Sequence, residues 1–560
     1  MANMMDPESE ACNSTIALPP GTIRLEDMEG DHIVLSPQPT SDPNDPLNWT
    51  QRRKGIQMFL ISMYTLMAFA VICIGTPLWA SLNIELGFSY NLLNDAYGVA
   101  AGTLCIGCIM FVPFALRYGR RPVYVITWFI LTAVSIWSAK TENIGDWMAV
   151  NAIGGAAAAV NETLYQLTIS DLFFVHQRGT MNGLYVLMVL AGNYLAPVVG
   201  GYINAAQGWR WAFWYCTIFC GIFSVISLFL LEETKYHLPV VRGINPIVPG
   251  SSEAPSEKGG KDINHKLAES SETQPQALNE TAERKATGSK KHALVEIDHS
   301  IPLKPYRERF ACWSPAPHVQ TSFWHHFYQP FVILFTFPAI TFAALQYGFT
   351  LAALSVLSVT QADLFPYAPY DFSTIGIGNL ALPPFIGGLL GAVYGGPLVD
   401  WYIIWYAKRN GGIYEPEMRL HLFFLPGVLM PAGLLLYGLT TAEGMPWIIT
   451  CIGGGFIGFG IGGISDISVT YIQDSYKEIL GDGLVGVAFV RNIFGTILVF
   501  VISPMISGMG VYNMFVFLGV LSFGISATYI PMLIWGKKMR IKCAAKYAMY
   551  AKTQYDYRPL

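Results

Sequence analysis

The chain has 560 residues, of which 52% are hydrophobic and 13% charged, with a formal net charge of −4 and a mean hydropathy of +0.40. An ordinary soluble domain carries about 25% charged residues, so this composition excludes a water-soluble globular enzyme and a chain disordered throughout. The near-neutral charge leaves no nucleic-acid footprint.

In chain order, residues 1–50 come first, polar and acidic, with nine Asp and Glu against Arg24 alone. They read as a cytosolic tail without a cleavable signal. A spanning helix needs roughly 20 mostly apolar residues, and twelve such runs follow. They cover 55–80, 92–116, 122–139, 145–169, 179–203, 210–231, 330–358, 372–400, 419–440, 446–473, 482–508 and 510–535. Barrel strands are about 10 residues long and alternate, so the chain is expected to be an all-α integral membrane protein. Residues 51–231 and 329–536 would each hold six helices. The long connection 232–328 contains a stretch, 250–293, rich in Ser, Glu, Lys and Gly and expected to be disordered. Residues 537–560 form a basic tail.

Lys and Arg set the orientation. Arg52, Arg53 and Lys54 precede the first run, Arg117, Arg120 and Arg121 follow the second, and Arg178 follows the fourth. Lys408, Arg409, Arg419, Lys477, Lys537, Lys538, Arg540 and Lys542 fall on the same side, against Lys140 and Arg210 on the other. Both termini are expected in the cytosol.

The fourth run carries Glu162 and, nine residues on, Asp171; the tenth carries Asp466 and, eight residues on, Asp474. At about 1.5 Å per residue, both inner acids lie roughly 12–14 Å into the membrane. Matched acids six runs apart suit a duplicated six-span unit.

The link after the second run reads Val112-Pro113-Phe114-Ala115-Leu116-Arg117-Tyr118-Gly119-Arg120-Arg121, and the eighth run ends Gly396-Pro397-Leu398-Val399-Asp400. Together these resemble the loop motif G-x-x-x-D-R-x-G-R-R of the major facilitator superfamily. Val112 and Leu116 depart from it, and the missing acid at Leu116 weakens the contact that the motif makes. The fifth run holds Gly183, Gly192, Pro197, Gly200 and Gly201. It looks like the superfamily's antiporter motif G-x8-G-x3-G-P-x2-G-G, with Ala196 for one glycine. Segments 42–49, 173–179 and 410–417 are similar to ones common in fungal facilitators. The resemblance covers about 42–545 and is closest to fungal twelve-span drug:proton antiporters, including relatives of polyamine and histidinol transporters. It implies twelve helices in two pseudo-symmetric six-helix bundles and proton-coupled movement of small organic molecules.

A charge inside a span costs several kcal/mol unless paired or hydrated, so each is a functional candidate. Glu162, Asp466 and Arg491 are those candidates. Arg491 lies roughly 13 Å deep in the eleventh run, and a buried Arg without an acid is very costly, so Asp466 and Arg491 are expected to pair. Glu162 would then be the freer acid and the protonation site. The resemblance implies that spans one, four, seven and ten line a central cavity, here offering Tyr64, Tyr165, Gln166, Gln346, Tyr347 and Tyr471. Aromatic faces and amides beside acids suit an amphipathic or cationic molecule. It also implies a cytosolic gate from Arg117, Gly119, Arg120, Arg121, Asp171, Arg178, Gly396, Asp400 and Asp474. Many proton antiporters of the family carry an Arg in span four and an acid in span one. Here Asn151 stands in that neighbourhood of span four, and 64–79 holds no acid.

No G-x-x-x-x-G-K-[ST] occurs, which argues against an ATP-driven pump, and no metal-ligand spacing or cofactor motif is seen. The expectation is a secondary transporter, not an enzyme, exporting a drug-like or secondary-metabolite molecule against protons. Uptake of organic cations such as polyamines is the second reading, and a non-transporting sensor or scaffold the remote third. The expected setting is the plasma membrane, as a monomer in contact with lipid, small-molecule substrate and protons.

Overall fold

In the computed structural model the described residues are 19–24, 40–236, 300–310 and 325–551. The stretch 250–293, most of the acidic tail and residues 552–560 lie outside them.

The fold is all helical and built for a membrane. Helix α1 is Gln51–Cys73, α2 Tyr90–Tyr118 and α3 Arg120–Ala139. Helix α4 comes in two pieces, Ile144–Ala158 and Val160–Leu172; α5 runs Val175–Leu190, a π turn Ala191–Leu195, then Ala196–Gln207; α6 is Trp209–Leu230. Helix α7 is Pro338–Leu364, and α8 runs Leu382–Val393, a π turn Tyr394–Leu398, then Val399–Arg409. Helix α9 is Phe424–Ala442 and α10 Trp447–Ser475. One continuous stretch, Leu480–Ala527, is broken by non-helical Gly510 at φ 79°, ψ 161°. We divide it into α11 (480–509) and α12 (511–527); a further helix, Tyr529–Ala551, follows.

The chain reverses at Gly510. A Cβ on Gly483 would touch Ile340 and one on Gly495 would touch Leu351, so α11 runs parallel to α7. Gly438 abuts Phe515 while Gly427 lies near Ser526, so α12 runs antiparallel to α9. Ten segments are long and apolar enough to cross a bilayer. The two-piece α4 and the reversal at Gly510 bring the number of crossings to twelve.

The expected seventh run, 330–358, is two elements: a helix His325–Thr336 and then α7, separated at Phe337. Pro338 begins α7, where its missing N–H costs nothing. Small residues bring α2 and α4 together. A Cβ on Gly107 would sit 2.5 Å from the Ala156 carbonyl oxygen, and one on Gly155 would collide with that of Ala100. Close backbone approach of this kind drives helix pairing in lipid, and it sets Glu162 against α2.

We call the face bearing residues 40–50, 231–236, 300–310 and 551 the loop face, and its opposite the far face. Described parts of the tail and of the long connection pack on the loop face. Arg309 pairs with Glu232 at 2.9 Å, and the Phe310 carbonyl accepts from Arg121 at 2.6 Å. Two short strands, β1 (Ile23–Arg24) and β2 (Ile413–Tyr414), pair antiparallel.

Candidate functional site

The centre of the molecule holds an ion pair between the two halves. Arg491 on α11 places Nη2 against Glu162 Oε1 on α4, with side-chain exposures of 4% and 1%. Its other terminal nitrogen donates to the Tyr347 hydroxyl at 2.7 Å, and the guanidinium lies 4.8 Å from the Tyr347 ring centroid. The second oxygen of Glu162 accepts from Asn492 Nδ2 at 2.7 Å and from Cys108 Sγ at 3.4 Å. Consecutive residues Arg491 and Asn492 thus serve one carboxylate, Arg491 as the ion-pair partner of Oε1 and Asn492 as a hydrogen-bond donor to Oε2. Charge-assisted hydrogen bonds of this kind are roughly twice as strong as neutral ones.

The expected pairing of Asp466 with Arg491 is therefore corrected: Arg491 takes Glu162. Residue counting puts the two acids at similar depth, but their sides differ. Asp466 faces α8 within its own half, where Cβ atoms on Gly395 and Gly396 would meet its carboxylate at 3.3 and 3.0 Å. It is half-buried, and among the described residues no hydrogen bond or ion pair to its carboxylate is seen.

The expected cavity residues divide. Tyr347 belongs to the cluster. The Tyr165 hydroxyl bonds Ser62 at 3.0 Å, and its ring lies 4.8 Å from that of Tyr185; Gln166 is half-exposed beside it. Tyr64, Gln346 and Tyr471, like Tyr165, make their contacts within their own half. Tyr64 lies edge-on to Tyr124 and Trp128 and donates to the Ala157 carbonyl at 2.8 Å. Gln346 donates to Ile525 O and Thr528 Oγ1 at 2.7 and 2.8 Å, tying α7 to α12. Tyr471 is fully buried against Phe342.

The glycines of α5 have separate uses. Gly192 and Gly200 seat α5 on α1: added Cβ atoms would come within 2.7 Å of Leu66 O and 2.9 Å of Ile74 O. Gly201 meets the other half, where an added Cβ would lie 2.6 Å from Thr374 O, and Gly378 returns the contact, with an added Cβ 2.8 Å from Pro197 O. Gly183 has open space around it. Pro197 cannot donate a backbone N–H, and the π turn lies just ahead of it. Asn94 adds a second inter-half contact toward the far face, donating to Val499 O at 2.8 Å.

On the loop face each half carries a charge cluster. In the first, Arg120 pairs with Asp171 at 3.1 Å, which also accepts from Thr234. Arg121 donates to the carbonyls of Leu231, Leu228 and Phe310 at 2.6–2.7 Å. Glu233 accepts from the backbone N–H groups of Arg120 and Arg121 at 2.9 and 3.1 Å, capping α3. It closes so tightly on Gly119 (φ 117°) that a Cβ there would collide with its carboxylate. Glu233 was missed in the sequence, although a Glu-Glu pair at the end of a span on the basic side signals it. Arg117 is exposed, its guanidinium 5.5 Å from the Tyr118 ring. The Arg178 side chain lies outside the described residues.

Beside this cluster, Glu232 joins Arg53 and Arg309. Burial pushes its carboxyl up, but the two guanidinium groups outweigh that and hold it below its ordinary value. In the second half Arg419 bridges Asp474 at 2.5 Å and Asp400 at 2.8 Å. Gly396 lies against Asp466, away from this bridge.

Comparisons with known proteins agree with this architecture. The family model described as Major Facilitator Superfamily matches residues 58–521. An uncharacterised MFS-type transporter of Schizosaccharomyces pombe is 34% identical over 93% of this chain and 90% of its own length. Protein HOL1 of Saccharomyces cerevisiae is 28% identical over 91% of the chain and 90% of its own. The MFS antiporter QDR3 of Candida albicans is 23% identical over 85% and 76%.

Proposed function

The chain belongs to the major facilitator superfamily and is a membrane transporter; on that premise we propose that it exports a small amphipathic or cationic organic molecule in exchange for protons. The observation that carries this reading is the placement of the three buried charges. Glu162 and Arg491 lie on opposite halves and hold each other, so the pair must open for the halves to rock apart around the midplane. Asp466 is the acid without an ion-pair partner among the described residues. A proton and a cationic substrate compete for it, which is antiport in its simplest form.

The loop face is cytosolic in this reading, because the basic residues collect there. The membrane is the plasma membrane, and the transporter acts as a monomer. The name of the Candida albicans relative, an antiporter, supports exchange. Net intramembrane acidity of Asp466 fits proton-coupled uptake of organic cations such as polyamines equally, and direction is the point that experiment decides.

The test is purified protein in liposomes with an imposed pH gradient and a trapped pH dye, challenged with polyamines, organic cations, organic acids and amphipathic drugs. Export by exchange gives a proton flux opposite to the substrate flux. Co-directional flux establishes the uptake reading, and no flux with any compound in folded protein removes proton coupling.

A further inference from the structure

Residues 19–24 of the tail are held by the half of the molecule farthest from them in sequence. Strand β1 places Ile23 opposite Tyr414 and Arg24 opposite Ile413 in the link between α8 and α9. The Pro20 carbonyl accepts from Arg540 Nη1, and Thr22 Oγ1 lies 3.4 Å from the same nitrogen. Arg540 is 1% exposed, and its Nε and Nη2 are bound to Glu417 at 2.8 and 2.6 Å, so Pro20 meets the donor that Glu417 leaves. Gly21, at φ +81°, fits against the end of α10. A Cβ there would collide with the Asp474 carbonyl oxygen and lie 3.0 Å from the Ser475 Cα and 3.1 Å from Pro416. The seat is thus made of β2, Pro416, the end of α10 and the helix after α12.

Residues 42–44 are anchored elsewhere, on segments beside the first half. Tyr236 donates to Asp42 Oδ2 at 2.8 Å, and Asn44 exchanges hydrogen bonds with Pro302 O and Lys304 N at 3.2 and 2.9 Å. Residues 19–24 and residues 42–44 therefore rest against opposite halves on the loop face.

We propose that residues 19–24 are a clasp, seated by strand addition in a groove of the second half, and that it restrains opening of the loop face. Main-chain pairing gives such a seat its affinity, and a close-fitting residue gives it specificity; here that residue is Gly21. The ladder is only two residues long, so the clasp can release. Its release frees the α10 end, where Asp474 holds Arg419, from the seated strand. The restraint on opening rests on the alternating-access reading above, whereas the seat itself does not.

The experiment uses the full chain with Arg24→Cys and Ile413→Cys, a protease site inserted in 250–293, and Asn182→Cys as reporter. Asn182 faces Gln473 of the other half at 3.4 Å. After oxidation and cleavage, the two fragments are expected to stay joined on a non-reducing gel, and to separate in the single-cysteine controls. Maleimide labelling at position 182, read by mass spectrometry, is expected to slow at least about fivefold when the clasp is locked and to recover after reduction. Gly21→Val, which cannot seat, is expected to label faster than the unlocked parent. No joined fragments above the controls would overturn the seat. Joined fragments with unchanged labelling at 182 in both variants would overturn the restraint while leaving the seat.

Discussion

Arg491 and Glu162 are 329 positions apart in sequence, on α11 and α4, and form a buried ion pair across the two halves. Neither charge is left to the pair alone. Tyr347 holds the cation and Asn492 the anion, so removing one member strands an organised partner.

Truncating both sides should therefore cost less than the two single truncations added together. Arg491→Met or Glu162→Gln alone is expected to destabilise by about 3–5 kcal/mol, the range for a broken buried pair. The double variant should cost less than their sum, with a coupling of at least about 1 kcal/mol. Thermal unfolding of the purified variants in detergent measures both, and additive losses would show that the pair does not act as a unit.

Asp466→Asn should behave in the opposite way. With no ion pair to break, the expected loss of stability is smaller than the loss of about 3 kcal/mol for either side of the Arg491–Glu162 pair. The proton dependence of transport should nonetheless flatten across pH 5 to 8. A variant that keeps the parent's pH profile would transfer the coupling role away from Asp466.

The glycines of α5 should separate by the space around them. Gly183→Ala is expected to be neutral, or to stabilise by up to about 1 kcal/mol through helix propensity. Gly201→Ala should push α5 away from Thr374 and weaken closure of the far face, read as faster maleimide labelling of a cysteine introduced at Thr374. Equal effects at 183 and 201 would mean that the motif acts through helix flexibility instead of contact.

Glu232 gives the acid limb of stability a defined contributor. Its folded carboxyl is held below the ordinary value by Arg53 and Arg309, after burial has pushed it up. A depressed folded pKa stabilises above the unfolded value of about 4.3 and loses that contribution as pH falls through the folded value. Glu232→Gln should lower the melting temperature at pH 7 and narrow its gap to the parent as pH falls below 4. A constant gap across that range would assign the effect to packing.

Much of this was legible in the sequence, and the misses share one cause. Apolar run length located the spans, with Gly510 dividing the last two. Matched acids at 162 and 466 suggested a duplicated unit, although the two carboxylates face different partners. Counting residues from the membrane edge gives depth but not azimuth, and Glu162, Asp466 and Arg491 have nearly the same depth. Choosing the partner of Arg491 needed the direction each helix faces. Asp466 turns toward Gly395 and Gly396 on α8, while the close approach of α2 and α4 at Gly107 and Gly155 sets Glu162 in reach of α11. Azimuth likewise separated Tyr347, which meets Arg491, from its neighbour Gln346, which ties down α12. Glu233 escaped because a loop-motif acid was sought at Leu116, inside the motif, whereas the chain supplies carboxylates from Asp171 and from beyond α6.

The two π turns, Ala191–Leu195 and Tyr394–Leu398, fall in α5 and α8, which meet along one side of the molecule. The helices meeting along the other side, α2 and α11, run without such a turn among the described residues. Wider turns with poorer hydrogen-bond alignment are places where a helix lengthens, bends or slips by a fraction of a turn. Pro113 in α2 and Pro504 in α11 break the hydrogen-bond ladder of that second seam in a different way. A rocking motion of the kind proposed would bend α5 and α8 at their π turns and α2 and α11 at their prolines, each seam at its own weak point.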